Sequence, residues 1–368
     1  MMSLPVEISA MLALLRAGLW EQPVSETGIF PLSGKAWGEI FSMAVRQTVT
    51  GIVARGMHHI PEDFLPERRL LARWMAEVHR IEERNIRQNM VLSELCRYFA
   101  SGGLTPVLKK GQGIAIMYEK PALRECGDID FFFRSEDEHK AACDMVSRKE
   151  CRIRRMSDGS ICYRWHDMDV EHHSRLLDLY SPFVKGYLQG LVEKDGFIDI
   201  EIPGTSGTTV KILSPMLNLL MLDAHVMKHA IGRGVGLRQL CDVARAYSCL
   251  HDRVDMGEWY AVVSRTGLAG WTCVLDSFLL KYLGLPSSKC MGISPDMEGA
   301  DRFFEIVCRG GNFGHDMYPV RKGVSVLKRK TDTLHAFCRN VGFSLRTVPK
   351  ESFWIFINLL TGQIKKNF

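Results

Sequence analysis

The segment Gly127-Asp128-Ile129-Asp130-Phe131-Phe132-Phe133 constrains this chain more than any other. Its second half is a continuous apolar run of strand length, which reads as a β-strand buried on both faces. Successive strand residues point to opposite faces, so Asp128 and Asp130 place two carboxylates side by side where that strand begins. Like charges held together at the edge of a buried element repel. A cation relieves them, and hard oxygen donors of this kind suit Mg2+ or Mn2+ shared with substrate phosphates. A solvated strand end is the plain alternative, but the apolar anchor behind the pair favours a site on a rigid element.

The surroundings of this segment alternate in type. Upstream, residues from about 5 to 100 have helical periodicity, with Leu71, Trp74, Met75, Val78 and Ile81 at three- and four-residue spacing. Gly102-Gly103 then leads into a short apolar strand, Leu104–Leu108, followed by Lys109-Lys110-Gly111-Gln112-Gly113 and a helical stretch expected to run through Tyr118. A glycine turn that opens a helix presents backbone N–H groups to phosphate, with Lys110 as a point charge and Gly111 allowing close approach. Such turns are also common as plain structure. Strands are expected at 151–155 and 161–173 around the turn Ser157-Asp158-Gly159-Ser160, and a hairpin at 197–202 and 209–213. Alternation through Met168-Asp169-Val170-Glu171-His172-His173 puts Asp169, Glu171 and His173 on one strand face. Beside the Asp128–Asp130 strand, Glu171 would complete a two-metal cage, with Asp169 as the competing acid. From Ser214-Pro215, a cap and first helical position, the rest reads as helical, with loop signals at Pro286–Gly299 and Gly310–Gly314 and a basic tail, Gln363–Phe368. The pattern divides the chain into an N-terminal helical region 1–101, a core 102–213 and a C-terminal helical domain 214–368.

Several segments together resemble a known family. Leu108-Lys109-Lys110-Gly111, Tyr118, Pro121, Leu123-Arg124 and Gly127-Asp128-Ile129-Asp130 resemble the bacterial uncharacterised nucleotidyltransferase family of the nucleotidyltransferase-fold superfamily. Val170-Glu171-His172-His173, Leu213-Ser214-Pro215 through His225 and His229, and Leu237-Arg238-Gln239-Leu240-Cys241-Asp242 extend the resemblance over roughly residues 104–250. It implies an α+β fold, a small mixed sheet like the palm of DNA polymerase β, flanked by N- and C-terminal helical regions. It also implies a reaction: attack of an acceptor hydroxyl or similar group on the α-phosphorus of a nucleoside triphosphate, with pyrophosphate leaving. Asp128, Asp130 and Glu171 would hold the divalent metal, Mg2+ or Mn2+, and Arg124 would join Lys110 and Gly111 on the phosphates. The turn departs from the superfamily, where Gly-Ser is usual and Lys110-Gly111-Gln112 stands here without the serine hydroxyl. The acceptor stays open among small molecule, protein and RNA, and no partner protein is indicated.

Other features are weighed by their context. His225 and His229 lie four apart on an expected helix, but no Glu follows His225 as in zinc proteases, so packing is the commoner reason for such a pair. With His173, Arg238 and Asp242 they are candidates to line the far wall of a cleft. Arginines 148, 152, 154, 155 and 164 form a basic patch near the acids that would meet a triphosphate, an anionic acceptor or RNA, although a solvated strand face is the more frequent case. The 47 Lys and Arg against 42 Asp and Glu leave only +5, which neither requires nor excludes nucleic acid. Eleven scattered cysteines with no two-residue spacing fit a reducing cytoplasm. The N-terminus reads as an amphipathic helix and not a signal peptide, and no apolar run approaches the ~18–20 residues of a membrane helix. Two further readings compete: an Mn2+-dependent glycosyltransferase using Asp128-Ile129-Asp130, and a catalytically silent nucleotide-binding or regulatory module.

Overall fold

The computed structural model describes residues 4–149, 151–156, 158–205, 207–232, 234–310 and 326–364. The glycine-rich signal at 311–314, Ser157 of the β-turn and the last four residues of the basic tail lie outside the described residues. Four helices come first: α1 (Val6–Trp20), α2 (Gly34–Arg46), α3 (Thr50–Met57) and α4 (Arg68–Ser101). The sheet region follows as β1 (Val107–Leu108), α5 (Gln112–Ala115), β2 (Ile129–Phe132), α6 (Glu136–Ser147), β3 (Arg154–Arg155), β4 (Ile161–Trp165), β5 (Met168–His173), α7 (Lys185–Asp195), β6 (Phe197–Glu201) and β7 (Thr209–Leu213). The rest is helical: α8 (Pro215–Ile231), α9 (Leu237–Leu250), α10 (Met256–Thr266), α11 (Ala269–Leu283), α12 (Met297–Gly310), α13 (Val326–Thr347) and α14 (Pro349–Ile364).

The fold is mixed α/β, with one seven-stranded sheet in the order β3-β4-β5-β2-β1-β7-β6. Strand β2 runs parallel to β5 and β1 parallel to β7, while the other pairs are antiparallel. Alternation gives the sheet two different faces. Phe131, Ile161, Tyr163, Val170 and His172 point one way, into a core closed by Leu92, Leu95 and Phe99 of α4 and Ala142 and Val146 of α6. His172 belongs wholly to that core, where its Nε2 meets the Tyr163 hydroxyl at 2.9 Å. The opposite face carries Asp130, Glu171 and His173.

A second core joins the two ends of the chain, packing Leu14 and Trp37 with Leu220, Trp271 and Phe278. Helix α4 links both cores. Its 34 residues span ~50 Å at 1.5 Å per residue. Trp74 near its start packs edge-on to Trp37 and Phe41 and donates to the Thr50 carbonyl at 3.2 Å. Phe99 near its end meets Phe131 and Phe133. Among the described residues no helix is long and apolar enough to cross a membrane.

Some local expectations fail. The strands expected over 104–108 and 151–155 are confined to Val107–Leu108 and Arg154–Arg155, and the stretch 161–173 is not one strand but the hairpin of β4 and β5, which turns at His166 with φ +52°. The helix after the glycine turn does not run through Tyr118 but stops at Ala115. Beyond it the amides of Met117 and Tyr118 turn back to Ile114 and Ala115, three residues earlier. The Met117 carbonyl accepts the Arg245 Nε–H at 2.7 Å, and the residue whose amide it would meet in a continued helix is Pro121, which has no N–H. Four residues also build almost no aligned dipole, which removes the helix-dipole part of the phosphate argument.

Candidate active site

The strand register sets the site. Asp130 of β2 is level with Glu171 of β5, Glu171 with Cys162 of β4, and Cys162 with Arg154 of β3. Paired residues share a face, so a single row crosses the sheet from Asp130 to Arg154. On the other side of β2, the Lys109 amide donates to the Asp130 carbonyl at 2.9 Å and extends the row to the lysine pair. In the neighbouring row Arg164 opposes Asp169, which lies one residue ahead of Val170 as Asp128 lies one residue ahead of Ile129.

At the centre, Asp130 is 3% exposed. Its Oδ1 accepts the His173 Nε2–H at 2.5 Å and lies 3.3 Å from Lys110 Nζ. Burial opposes its charge, but Lys110 and the His173 hydrogen bond outweigh burial and hold this carboxyl far below the usual carboxylate range. Burial, with Asp130 next to it, pushes Glu171 up. Asp128 is also raised, chiefly by the charge of Asp130 beside it. Burial, followed by Lys109, lowers His173 and keeps its ring neutral. A neutral imidazole has one N–H, and the short contact assigns it to Nε2. Its Nδ1 lone pair therefore faces Glu171 Oε1 at 3.4 Å, acceptor against acceptor. Asp130, Glu171 and His173 each offer a ligand atom, all within 4.8 Å of one another. Two carboxylates and a ring lone pair that converge on one face fit a divalent cation.

The candidates are not all brought together. Asp128 precedes the strand, sits exposed at the lip and stands outside that donor set, although the field of Asp130 reaches it. Gln88 Nε2 donates to its carbonyl at 3.0 Å and so fixes its backbone. Glu171 lies in the row of Asp130, whereas Asp169 is one row further out. Gly111 takes φ +61° and ψ −118°, a conformation for glycine alone, and a Cβ there would meet the Asp128 carbonyl at 3.4 Å. Arg124 has other partners than phosphate. Its Nε and Nη2 donate to the two oxygens of Asp242 at 2.7 and 2.6 Å, and its Nη1 points at Cys126 Sγ and the Glu125 carbonyl. The Tyr118 hydroxyl donates to the same Asp242 at 2.7 Å. Arg124 and Asp242 thus form a buried clamp between the turn before β2 and helix α9.

The far wall comes from α8 and α9. The rings of His225 and His229 lie 4.5 Å apart, and both face the cleft. His225 Nδ1 is 3.0 Å from Asp178 Oδ2, while Lys228 Nζ donates to Asp178 Oδ1 at 2.8 Å. Arg238 donates to the Glu125 carbonyl at 2.8 Å, and its Nε is buried without a partner. The cleft between sheet and wall holds about 1790 Å³.

Sequence reasoning missed Lys109, Asp178 and Lys228. Lys109 is 4% exposed, donates to the Arg175 carbonyl at 2.9 Å, and burial lowers it to about 8. Its position beside Lys110 was a usable signal, as was Lys228 between the two histidines. Asp178 follows β5 in an irregular segment where no period marks it.

The sequence of residues 33–281 matches the family described as uncharacterised nucleotidyltransferase. That is about two-thirds of the chain, and the protein belongs to this family. No curated protein and no solved structure matches it.

Proposed function

We propose that the protein is a metal-dependent nucleotidyltransferase that moves a nucleoside monophosphate from a nucleoside triphosphate to an acceptor and releases pyrophosphate. The observation that carries this reading is the convergence of Asp130, Glu171, His173 and Lys110 on one face of one sheet. Acids on the adjacent strands β2 and β5 support a polymerase β-like palm within 102–213, carried on a helical body of 1–101 and 214–368. Asp130, ionised at all working pH, is the permanent anionic ligand. Glu171 and His173 complete the donor set for Mg2+ or Mn2+, and Asp128 joins them from the lip once a cation screens the charge of Asp130. When bound, the cation stabilises charge on the reacting phosphate and the leaving pyrophosphate.

The chain's own residues supply the rest. Lys110 holds phosphate charge, and Gly111 lets the triphosphate approach the backbone. Arg124 acts through Asp242 as a positioning residue for the turn that delivers Asp128. The acceptor oxygen bonds to the α-phosphorus as the bond to the pyrophosphate oxygen breaks, and the acceptor's proton passes to Glu171. A glycosyltransferase would place a nucleotide-binding βαβ half ahead of the acids, but every described element before β1 is helical. The eleven unbridged thiols support a reducing, cytoplasmic setting.

The test is titration calorimetry with ATP, GTP, CTP and UTP, each with Mg2+ or Mn2+, on the wild type and on Asp128→Ala/Asp130→Ala. Metal-dependent binding of at least one triphosphate, lost in the double variant, is expected. Failure of every triphosphate to bind overturns the reading.

A further inference from the structure

The cleft holds more positive charge than a triphosphate uses. Arg84, Arg152, Arg154, Arg164, Arg175 and Arg238 all line it. Among the described residues none of these six lies within ion-pair distance of a carboxylate. Arg84 donates to the Gly127 carbonyl at 3.1 Å, Arg164 to that of Asp167 at 3.2 Å and Arg238 to that of Glu125 at 2.8 Å, while Arg154 hydrogen-bonds the neutral Cys162 thiol beside it. Carbonyl contacts hold a guanidinium in place without neutralising it.

Position separates these cations from the reaction centre. Arg154 is on the row of Glu171 but two strands away, and at ~4.8 Å per strand its backbone is roughly 10 Å from Glu171 and 14 Å from Asp130. Arg164 stands in the next row on the same face. The triphosphate already has Lys110 and the metal donors, so this ledge across β4 and β3 faces a second ligand. The cleft volume of about 1790 Å³ exceeds the ~300–1,000 Å³ of a single small-molecule site. Tyr180 lines the same cleft with two cations against its ring, the Arg175 guanidinium at 5.6 Å and the Lys228 ammonium at 5.9 Å from its centre.

We propose that the ledge of Arg152, Arg154 and Arg164 binds the phosphodiester backbone of a single nucleic-acid strand and that the strand's terminal hydroxyl is the acceptor. The acceptor role rests on the nucleotidyl-transfer reading; the binding does not. Guanidinium forks fit phosphate oxygens bidentately, and a strand can lie along the ledge by its backbone while its terminal hydroxyl reaches the acids of the same row. The strand's end then reaches the Asp130–Glu171 centre along the row that joins the two.

The experiment uses the full chain without nucleotide or metal. Fluorescence anisotropy follows a labelled twelve-nucleotide RNA, DNA of the same sequence, and a poly-glutamate peptide of equal charge, from 50 to 300 mM salt. The expected result is binding of the strands with a log–log salt slope of about −2 or steeper, the value for three phosphate contacts on a single strand. Arg152→Glu/Arg154→Glu/Arg164→Glu lowers the affinity by at least about thirtyfold and flattens the slope, while Arg302→Glu/Arg309→Glu on α12 changes neither. All five arginines are exposed, and circular dichroism checks that the variants fold. If the triple variant does not fold, Arg164→Glu and the wild-type slope decide. Equal affinity for RNA and DNA assigns recognition to the backbone, and a preference for RNA adds the 2′-hydroxyl; both support the proposal. No strand binding at 50 mM salt, an unchanged triple variant, or poly-glutamate bound as tightly as RNA overturns it, the last in favour of an acidic protein. Asp128→Asn/Asp130→Asn is expected to keep or raise strand affinity while abolishing metal-dependent triphosphate binding, so the two readings fail separately.

Discussion

Replacing Asp242 tests whether Arg124 is a clamp or a phosphate ligand. Arg124 and Asp242 are 3% and 5% exposed and share two hydrogen bonds of 2.7 and 2.6 Å. Asp242→Ala leaves a buried guanidinium uncompensated, which costs ~3–5 kcal/mol. The Tyr118 hydroxyl also loses its acceptor, for about 1 kcal/mol more. A loss of ~4–6 kcal/mol is a large part of the ~5–15 kcal/mol that holds a typical domain together. At roughly 2–4 °C per kcal/mol it lowers the melting temperature by about 8–24 °C. Exchanging both partners, Arg124→Met/Asp242→Leu, is expected to recover most of the loss, because it removes the unpaired charge and fills the volume. Differential scanning calorimetry gives the melting temperatures, and titration with the preferred triphosphate on the double variant gives the binding. A clamp predicts a large drop for the single variant, recovery in the double variant and triphosphate affinity within about threefold of wild type once the fold is restored. If Asp242→Ala melts within about 2 °C of wild type, or the folded double variant loses triphosphate binding, Arg124 acts on phosphate and the clamp is wrong.

The acidic centre gives a trade-off between stability and binding. Glu171 and Asp128 are raised, so their charged forms are penalised in the folded state. Glu171→Gln and Asp128→Asn are therefore expected to raise the melting temperature of the metal-free protein while abolishing its increase with Mn2+, as thermal melts with and without metal will show. By the same signs, Mn2+ affinity falls on the acid side as Glu171 and Asp128 take up protons, while Asp130 stays ionised; calorimetry between pH 5 and 8 reads this. Gly111→Ala forces a side chain into a glycine-only conformation and is expected to cost ~1–3 kcal/mol in chemical denaturation and to weaken triphosphate binding. Asp223 is fully buried, and burial raises it to about 8 despite the hydrogen bond from Tyr247. The folded state thus keeps a proton that the unfolded state releases near pH 4, so stability falls by up to ~1.4 kcal/mol per pH unit as pH rises from about 4 to 8. Asp223→Asn should flatten that part of the profile in urea denaturation, and an unchanged slope would sink the assignment.

Much of the sheet was legible because its signals are local. The apolar run at Phe131, the alternation from Met168 to His173, and Pro215 at a first helical position mark two strands and a helix start by period and by the fixed φ of proline, which tertiary contacts do not alter. Ser135 caps α6 with its hydroxyl, which accepts the Glu138 N–H at 3.1 Å, whereas Ser214 makes no such bond at the start of α8. The helix expected through Tyr118 stops early, at Ala115, where the chain tightens into three-residue turns and the next residues dock on α9, Tyr118 through its hydroxyl on Asp242 and the Met117 carbonyl on Arg245. The pairing of Arg124 with Asp242 was illegible too, since no spacing rule joins residues 118 apart.

The sequence alone therefore determined that two aspartates flank the start of a buried strand, that Glu171 and His173 share a face of another, and that a glycine must follow Lys110. Each follows from the short-range geometry of the backbone. Which acids meet was settled by the register of β2 against β5, which sets Asp130 beside Glu171 and leaves Asp128 at the lip. Assembly of the far wall by Asp178, His225 and Lys228, and the alignment of Arg154 with the acidic row, likewise needed the packed molecule. Strand pairing and helix docking join residues whose separation along the chain carries no periodic trace, so only the tertiary structure could decide them.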